Sequence, residues 1–239
     1  MSESSSFIYA VIAGIVPSFI WLIFWLREDE HQPEPRWLMA ATFLGGVLAV
    51  VPAVFAEKYI ADIISDQSLR YTLWAAVEEI LKLGAIAIIA LNSDYNDEPI
   101  DAMIYCIVVA LGFAALENTL FIMRPLHDGE IVQSIITGNL RFVGATLVHT
   151  VSSAFIGFGL GMAFYRGYIV KFLAVIIGLS AAITLHSAFN LSIINSDPSD
   201  TLKTFVWIWI AVVILIVLFE EVKAVKPKFR RIEYNIKKI

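Results

Sequence analysis

The sequence contains little cysteine and little charge. Only one of its 239 residues is cysteine, which excludes a disulfide framework and a multi-cysteine metal site. Charged residues make up 16% of the chain, against about 25% in ordinary soluble domains, whereas 59% of the residues are hydrophobic. A single soluble core cannot bury that much apolar surface, and a net charge of −5 disfavours a polyanionic partner. This composition excludes a soluble globular enzyme, a disordered chain and a nucleic-acid-binding protein.

Where cysteine and charged residues are scarce, the chain has long apolar runs, and its mean hydropathy is +0.76. Seven runs approach the roughly 20 residues that a helix needs to cross a bilayer. They are residues 7–26, 37–56, 71–91, 100–123, 141–164, 169–193 and 202–219. Because unpaired backbone groups are costly in lipid, each run should be helical. The sequence therefore predicts an all-α, polytopic integral membrane bundle of about seven transmembrane helices, with eight as the alternative.

This bundle is predicted to be one membrane-embedded domain over residues 1–239, ending in a short basic tail at 220–239. It is predicted to lie in the lipid bilayer of the cell membrane. With the C-terminus in the cytoplasm, the cytoplasmic face carries eleven lysines and arginines, seven of them in the tail, and the opposite face carries five. Positive residues concentrate on the cytoplasmic side of membrane proteins, so the tail predicts a cytoplasmic C-terminus.

Six ionisable side chains lie well inside the predicted spans, away from their ends: Glu78, Glu79, Lys82, Glu117, His149 and His186. Each charged one costs about 2.5–3.5 kcal/mol at the bilayer centre, so the chain is expected to bring them together. At 1.5 Å per residue, the two histidines and the two glutamates Glu78 and Glu117 lie about 9–12 Å from the nearer ends of their spans. Because successive crossings alternate in direction, all four share one half of the membrane. Under the predicted orientation this is the extracytoplasmic half.

Three further residues are placed beside these side chains by helical spacing. Lys82 follows the two glutamates by four and three residues, so it can pair with either. Phe113 shares a helix face with Glu117, and Asn190 follows His186 by one turn as a buried amide.

Four short strings carry a resemblance to a known family. EEILK at 78–82, FAALENTLF at 113–121, His149 and HSAFN at 186–190 are similar to the EExxK, FxxxE, H and HxxxN motifs of PrsW-type intramembrane proteases. That family belongs with the type II CAAX prenyl proteases and the gamma-secretase subunit Aph-1, and the prolines and glutamate at 33–35 resemble it as well. The resemblance implies an endopeptidase that cuts a membrane-anchored protein near its extracytoplasmic end, such as an anti-sigma factor.

Peptide hydrolysis needs a base that activates water and donors that hold the oxyanion. Glu78 or Glu79 is the expected base, and His149 would position the water or protonate the leaving amine. His186 and Asn190 would both donate to the oxyanion. By the resemblance, Glu117 stands where CAAX proteases carry a histidine, which leaves the division of roles among glutamates and histidines open.

The charge of this predicted site leaves two catalytic chemistries open. Three carboxylates, one ammonium and neutral histidines sum to −2, so either a glutamate keeps a proton or a cation binds. A zinc site made of Glu117, His149 and His186 would have an open fourth position. Because the chain has no HExxH helix, the sequence favours glutamate catalysis without a cofactor, with zinc as the alternative.

Other functions remain as alternatives to this protease. A non-catalytic scaffold like Aph-1 would use the polar side chains for packing, but the second glutamate and the His186–Asn190 pair exceed what packing needs. A CAAX-like peptidase acting on prenylated proteins would face the cytoplasm. A transporter or proton relay would also carry buried glutamates and histidines, but the chain has neither a repeat nor broken helices in matched halves. The expected partner is a membrane-anchored protein substrate.

Overall fold

The fold is a bundle of helices. A computed structural model describes residues 3–27, 33–195 and 201–227, and all regular structure in this part of the chain is helical. Its α-helices are α1 (Glu3–Arg27), α2 (Arg36–Ile63), α3 (Gln67–Ile89), α4 (Asp101–His127), α5 (Ile131–Leu140), α6 (Thr146–Met162), α7 (Tyr168–Asn195) and α8 (Thr201–Lys223). A π-helical turn at Arg141–Ala145 joins α5 to α6, so these two form one continuous helix. The all-α prediction is confirmed, whereas residues 228–239 of the predicted tail lie outside the described residues.

Among the described residues, six helices are long and apolar enough to cross a membrane. They are Ser5–Arg27, Arg36–Ile63, Asp101–His127, Ile131–Met162, Tyr168–Ile194 and Lys203–Lys223. The third predicted crossing is present as α3, a helix of 23 residues. It differs from the six because Glu78, Glu79 and Lys82 interrupt its apolar sequence. The helix that is least suited to lipid by composition is therefore the one that carries most of the predicted site.

Two segments predicted as long connections are mostly helical. Within residues 57–70, α2 continues to Ile63 and α3 begins at Gln67, where the Asp66 side chain accepts a hydrogen bond from the Leu69 N–H at 2.7 Å. Within residues 124–140, α4 continues to His127 and α5 begins at Ile131. In both segments the polar residues alternate with apolar residues at helical spacing. The neighbouring helices therefore continue into the segments. Glu57 consequently lies on α2 instead of in a loop.

Helix α4 lies at the centre of the bundle and packs against α1, α2 and α6. Every residue from 101 to 115 is buried. Close approach to α4 requires glycine on its neighbours: a Cβ on Gly157 of α6 would lie 2.4 Å from the Met103 Cα, and one on Gly46 of α2 would lie 2.0 Å from the Val109 carbonyl oxygen. Small residues of this kind let helix backbones approach closely in membranes.

The segment before α2 is tied to the start of α4. The Tyr105 hydroxyl lies 2.6 Å from Glu34 Oε2 and 3.1 Å from the Tyr95 carbonyl oxygen, and both oxygens are acceptors. This contact lies about 18 Å along α4 from Glu117. Residues 33–35 therefore fasten a connection at the far end of the bundle from the predicted site.

We expect Gly157→Ala to destabilise the protein by about 1–3 kcal/mol, because its new methyl group would collide with α4 backbone. Gly84→Ala is the matched control: Gly84 is exposed, and a Cβ there meets no atom within 4 Å. Alanine at position 84 should leave stability unchanged or raise it by about 0.5–1 kcal/mol. Unfolding of the detergent-purified variants measures both, and equal stability of the two would contradict the proposed packing.

Candidate active site

The predicted ionisable side chains meet where four helices come together. Glu78, Glu79 and Lys82 come from α3, Glu117 from α4, His149 from α6 and His186 from α7. All are buried except Glu117, whose side chain is 18% exposed. The expectation that these residues come together is confirmed.

Glu79 is fully engaged by donors from three helices. Lys82 Nζ donates to Glu79 Oε1 at 2.6 Å, and His186 Nδ1 lies 2.9 Å from the same oxygen. The Ser153 hydroxyl of α6 donates to Glu79 Oε2 at 2.7 Å. With both oxygens occupied and the side chain fully buried, Glu79 acts as an anchor for the helices. Of the two glutamates expected to serve as the base, only Glu78 is left with a free oxygen.

Glu117 holds the other histidine in the same manner. Its Oε2 accepts from Arg141 Nη2 and lies 2.7 Å from His149 Nε2. Arg141 is the first residue of the π-helical turn, and its Nε donates to Asn118 Oδ1 at 2.5 Å. Each histidine of the site is therefore bound by a carboxylate that is itself paired with a cation, Lys82 in one case and Arg141 in the other.

These partners assign the protons of both imidazole rings. A carboxylate paired with a cation only accepts hydrogen bonds, so His149 carries its proton on Nε2 and His186 carries its proton on Nδ1. Lys82 Nζ lies 3.2 Å from His149 Nδ1, and an ammonium group only donates, which agrees with this assignment. Both histidines thus present an unprotonated nitrogen to the inside of the site.

These two nitrogens face Glu78. Its Oε2 lies 3.7 Å from His149 Nδ1 and 3.7 Å from His186 Nε2, and this buried oxygen has no hydrogen-bond partner among the described residues. One ligand atom from each of the three side chains lies within 4.8 Å of the others. Ligand atoms of a tetrahedral zinc site are separated by roughly 3.3 Å. The donor set and the orphaned oxygen therefore fit a divalent metal ion, which would replace the Lys82 ammonium group at His149 Nδ1.

This set differs from the zinc ligands expected from the sequence, which were Glu117, His149 and His186. Glu117 binds the outer nitrogen of His149 and the Arg141 guanidinium, so its carboxylate supports the ring from behind. Glu78 takes its place on the inner side. Carboxylates that bind the outer nitrogen of a ligating histidine are a regular feature of zinc sites.

The two remaining predicted residues lie next to the cluster. The Phe113 ring has its centre 5.0 Å from Lys82 Nζ and 5.5 Å from the His149 ring, so it covers the ammonium group with an aromatic face. Asn190 is half-buried on α7, one turn after His186. Within the described ranges no hydrogen bond links Asn190 to the cluster, which leaves its amide available.

Sequence reasoning missed three contributors: Glu57, Arg141 and Ser153. Glu57 lies one residue beyond the predicted span at 37–56, but on α2 it is half-buried and close enough to Glu78 for the two carboxyl groups to interact. Arg141 was counted only toward the orientation of the chain. The predicted site carried an excess charge of −2, which indicated that a second cation was missing from it. Arg141 supplies this cation. With Glu57 included, four carboxylates face two cations, so the site again carries −2 when all four are ionised.

Comparison with known proteins agrees with this geometry. The profile of the family described as "PrsW family intramembrane metalloprotease" matches residues 34–218. The chain belongs to the PrsW family. Protease PrsW of Geobacillus kaustophilus is 30% identical over 156 residues, which cover 64% of this chain and 66% of the relative. Protease PrsW of Bacillus subtilis is 24% identical over 186 residues, covering 76% of this chain and 82% of the relative.

The match to the Geobacillus protein thus spans just under two thirds of that relative's length. No solved structure matches the chain. Membership of the PrsW family together with the six apolar helices makes this a multi-pass membrane protein.

We expect Lys82→Met to destabilise the protein by about 3–5 kcal/mol, because it leaves the buried Glu79 carboxylate without its cation. The double variant Glu79→Gln, Lys82→Met removes both charges and should recover part of that loss. Unfolding of the purified variants in detergent gives both values. A double variant no more stable than Lys82→Met alone would show that the pairing is not what makes the lysine necessary.

Proposed function

We propose that this PrsW-family protein is an intramembrane endopeptidase that hydrolyses a peptide bond in a membrane-anchored protein. The observation that carries the proposal is the open corner at Glu78 Oε2, a buried acceptor facing two unprotonated imidazole nitrogens. A buried polar atom without a partner is costly, and a scaffold gains nothing from one. A hydrolase needs such a place, since its water must be held by acceptors and kept apart from bulk solvent.

Glu78, His149 and His186 would hold a divalent metal ion at this corner, with zinc the natural choice for one carboxylate and two imidazoles. When bound, the ion would acidify the attacking water and polarise the scissile carbonyl group. A divalent charge would also neutralise the −2 that four carboxylates and two cations leave in the site. These points favour a metal over the metal-free chemistry expected from the sequence.

The chain's own residues divide the remaining work by position. Glu57 is half-buried beside Glu78, and no cation pairs with it among the described residues, so it would accept the proton of the attacking water. The Asn190 amide would donate to the oxyanion. Glu79 and Glu117 hold the two histidines in position, and Lys82 keeps Glu79 charged and in place.

The substrate would cross the same membrane and reach the site beside Glu117 and Arg141, whose side chains are 18% and 15% exposed. We place the site in the extracytoplasmic half of the membrane and the C-terminus in the cytoplasm. The relatives that the chain resembles are proteases by name, and an anti-sigma-factor-like protein with one membrane span is the kind of substrate that this position suits.

Glutamine variants test the two carboxylate roles separately. Glu78→Gln should abolish both stoichiometric zinc binding and cleavage of a single-span substrate, because it removes a ligand. Glu57→Gln should lower kcat by about 100-fold or more and leave zinc content unchanged. Glu130→Gln, a change at an exposed carboxylate between α4 and α5, is the control and should alter neither quantity. Wild-type cleavage by Glu78→Gln would refute the proposed site.

Cysteine labelling tests the orientation. The native Cys106 is fully buried, so it can be replaced by alanine before single cysteines are introduced. A cysteine at Asp128, in the exposed connection after α4, should react with an impermeant thiol reagent from outside intact cells. A cysteine at Lys226, after α8, should react only once the membrane is opened. The reverse pattern would turn the site toward the cytoplasm and favour a CAAX-like peptidase.

A further inference from the structure

The two histidines of the site are held by matching relays, and only one of these lies within the predicted motifs. In the first relay, Lys82 pairs with Glu79, which binds the outer nitrogen of His186. In the second, a cation outside those motifs does the same for His149 through Glu117. We propose that Arg141 is a positioning residue that fixes the orientation and tautomer of His149. Its value to catalysis rests on the proposed function, but its action on the ring does not.

The position of Arg141 is itself fixed by a closed ring of hydrogen bonds. Its Nε donates to Asn118 Oδ1 at 2.5 Å, and Asn118 Nδ2 donates to Thr146 Oγ1 at 2.9 Å. The Thr146 hydroxyl then donates to the Arg141 carbonyl oxygen at 3.1 Å. The ring closes on the same residue from which it started, so side chain and backbone of Arg141 are locked together.

The π-helical turn makes this ring possible. Its wider winding pairs the Thr146 N–H with the Arg141 carbonyl, and such turns are frequent at functional sites. The guanidinium group also lies 4.0 Å from the centre of the Phe121 ring on α4. Two contacts to α4, one polar and one aromatic, hold the cation over Glu117 although its side chain is only partly buried.

Without the Arg141 cation, the His149 proton would be free to move from the outer nitrogen, Nε2, to the inner nitrogen, Nδ1. Glu117 is 18% exposed and, without the guanidinium, can rotate toward the open side of the cluster. His149 would then lose its outer acceptor. The nearest remaining acceptor is Glu78 Oε2, 3.7 Å from Nδ1. A proton on Nδ1 would displace the Lys82 ammonium group, which lies 3.2 Å from that nitrogen and keeps its bond to Glu79, and would fill the open corner. The nitrogen needed to bind a metal or a water would no longer be available.

Nuclear magnetic resonance of the protein labelled with ¹⁵N-histidine, purified in detergent without metal, tests this directly. The wild type should carry the His149 proton on Nε2, with the signal assigned by its loss in His149→Gln. Arg141→Lys keeps a cation and should retain that tautomer, whereas Arg141→Met should shift His149 toward the Nδ1–H form. Arg124→Met, which changes an exposed arginine at the end of α4, is the matched control and should behave as wild type.

An unchanged His149 tautomer in Arg141→Met overturns the inference, whatever the variant's activity. If that variant does not fold, Glu117→Met interrupts the same relay from its other end, because methionine offers His149 Nε2 no oxygen acceptor, and the same criterion applies to it. Cobalt(II) binding gives a second readout: Arg141→Met should weaken the affinity by about 10–100-fold, as loss of a residue that supports a ligand does. A wild type with the Nε2–H tautomer that neither binds cobalt nor cleaves would overturn the proposed function and leave the role of Arg141 standing.

Discussion

A carboxylate inside a membrane has to be paired, and this single constraint organises the bundle. Glu79 is paired with Lys82 and bound by groups from α6 and α7, and Glu117 on α4 is paired with Arg141 and bound by His149. No one helix can satisfy either group, so α3, α4, α6 and α7 have to meet at one depth. The helix that is least apolar, α3, is held in the bundle by these charge-assisted hydrogen bonds as well as by apolar packing.

The same pairing determines the chemistry of the imidazoles. Because each paired carboxylate binds the outer nitrogen of one histidine, both inner nitrogens are left unprotonated and directed at Glu78. Stability and the proposed reactivity therefore come from two adjacent glutamates whose hydrogen bonding is opposite. The oxygens of Glu79 are saturated with donors, whereas Glu78 Oε2 has none within the described part of the chain. Its half-buried neighbour Glu57 adds a further negative charge when ionised, which strengthens the attraction of the corner for a cation.

Much of this site could be predicted from the sequence, since ionisable residues inside apolar runs have few physical explanations and their depths could be compared. The helices and the meeting of Glu78, Glu117, His149 and His186 followed from that reasoning. The involvement of Glu57 and Arg141 did not. Hydropathy ends the second predicted span at residue 56 although the helix continues through Glu57, and it sets Arg141 at the first position of its span, where a cation is ordinary. The π-helical turn has no signature in hydropathy, so the reach of Arg141 toward Glu117 could not be foreseen.

The roles of the two adjacent glutamates also lay beyond the sequence, because depth alone does not separate them. Successive residues of a helix point about 100° apart, so Glu78 and Glu79 face different neighbours. Lys82 is in register to pair with either, and the structure pairs it with Glu79. That choice places Glu79 between α6 and α7, where Ser153 and His186 complete its hydrogen bonds, and turns Glu78 toward α2 and Glu57. In this EExxK motif the second glutamate and the lysine hold the helices together, and this leaves the first glutamate free for the proposed chemistry.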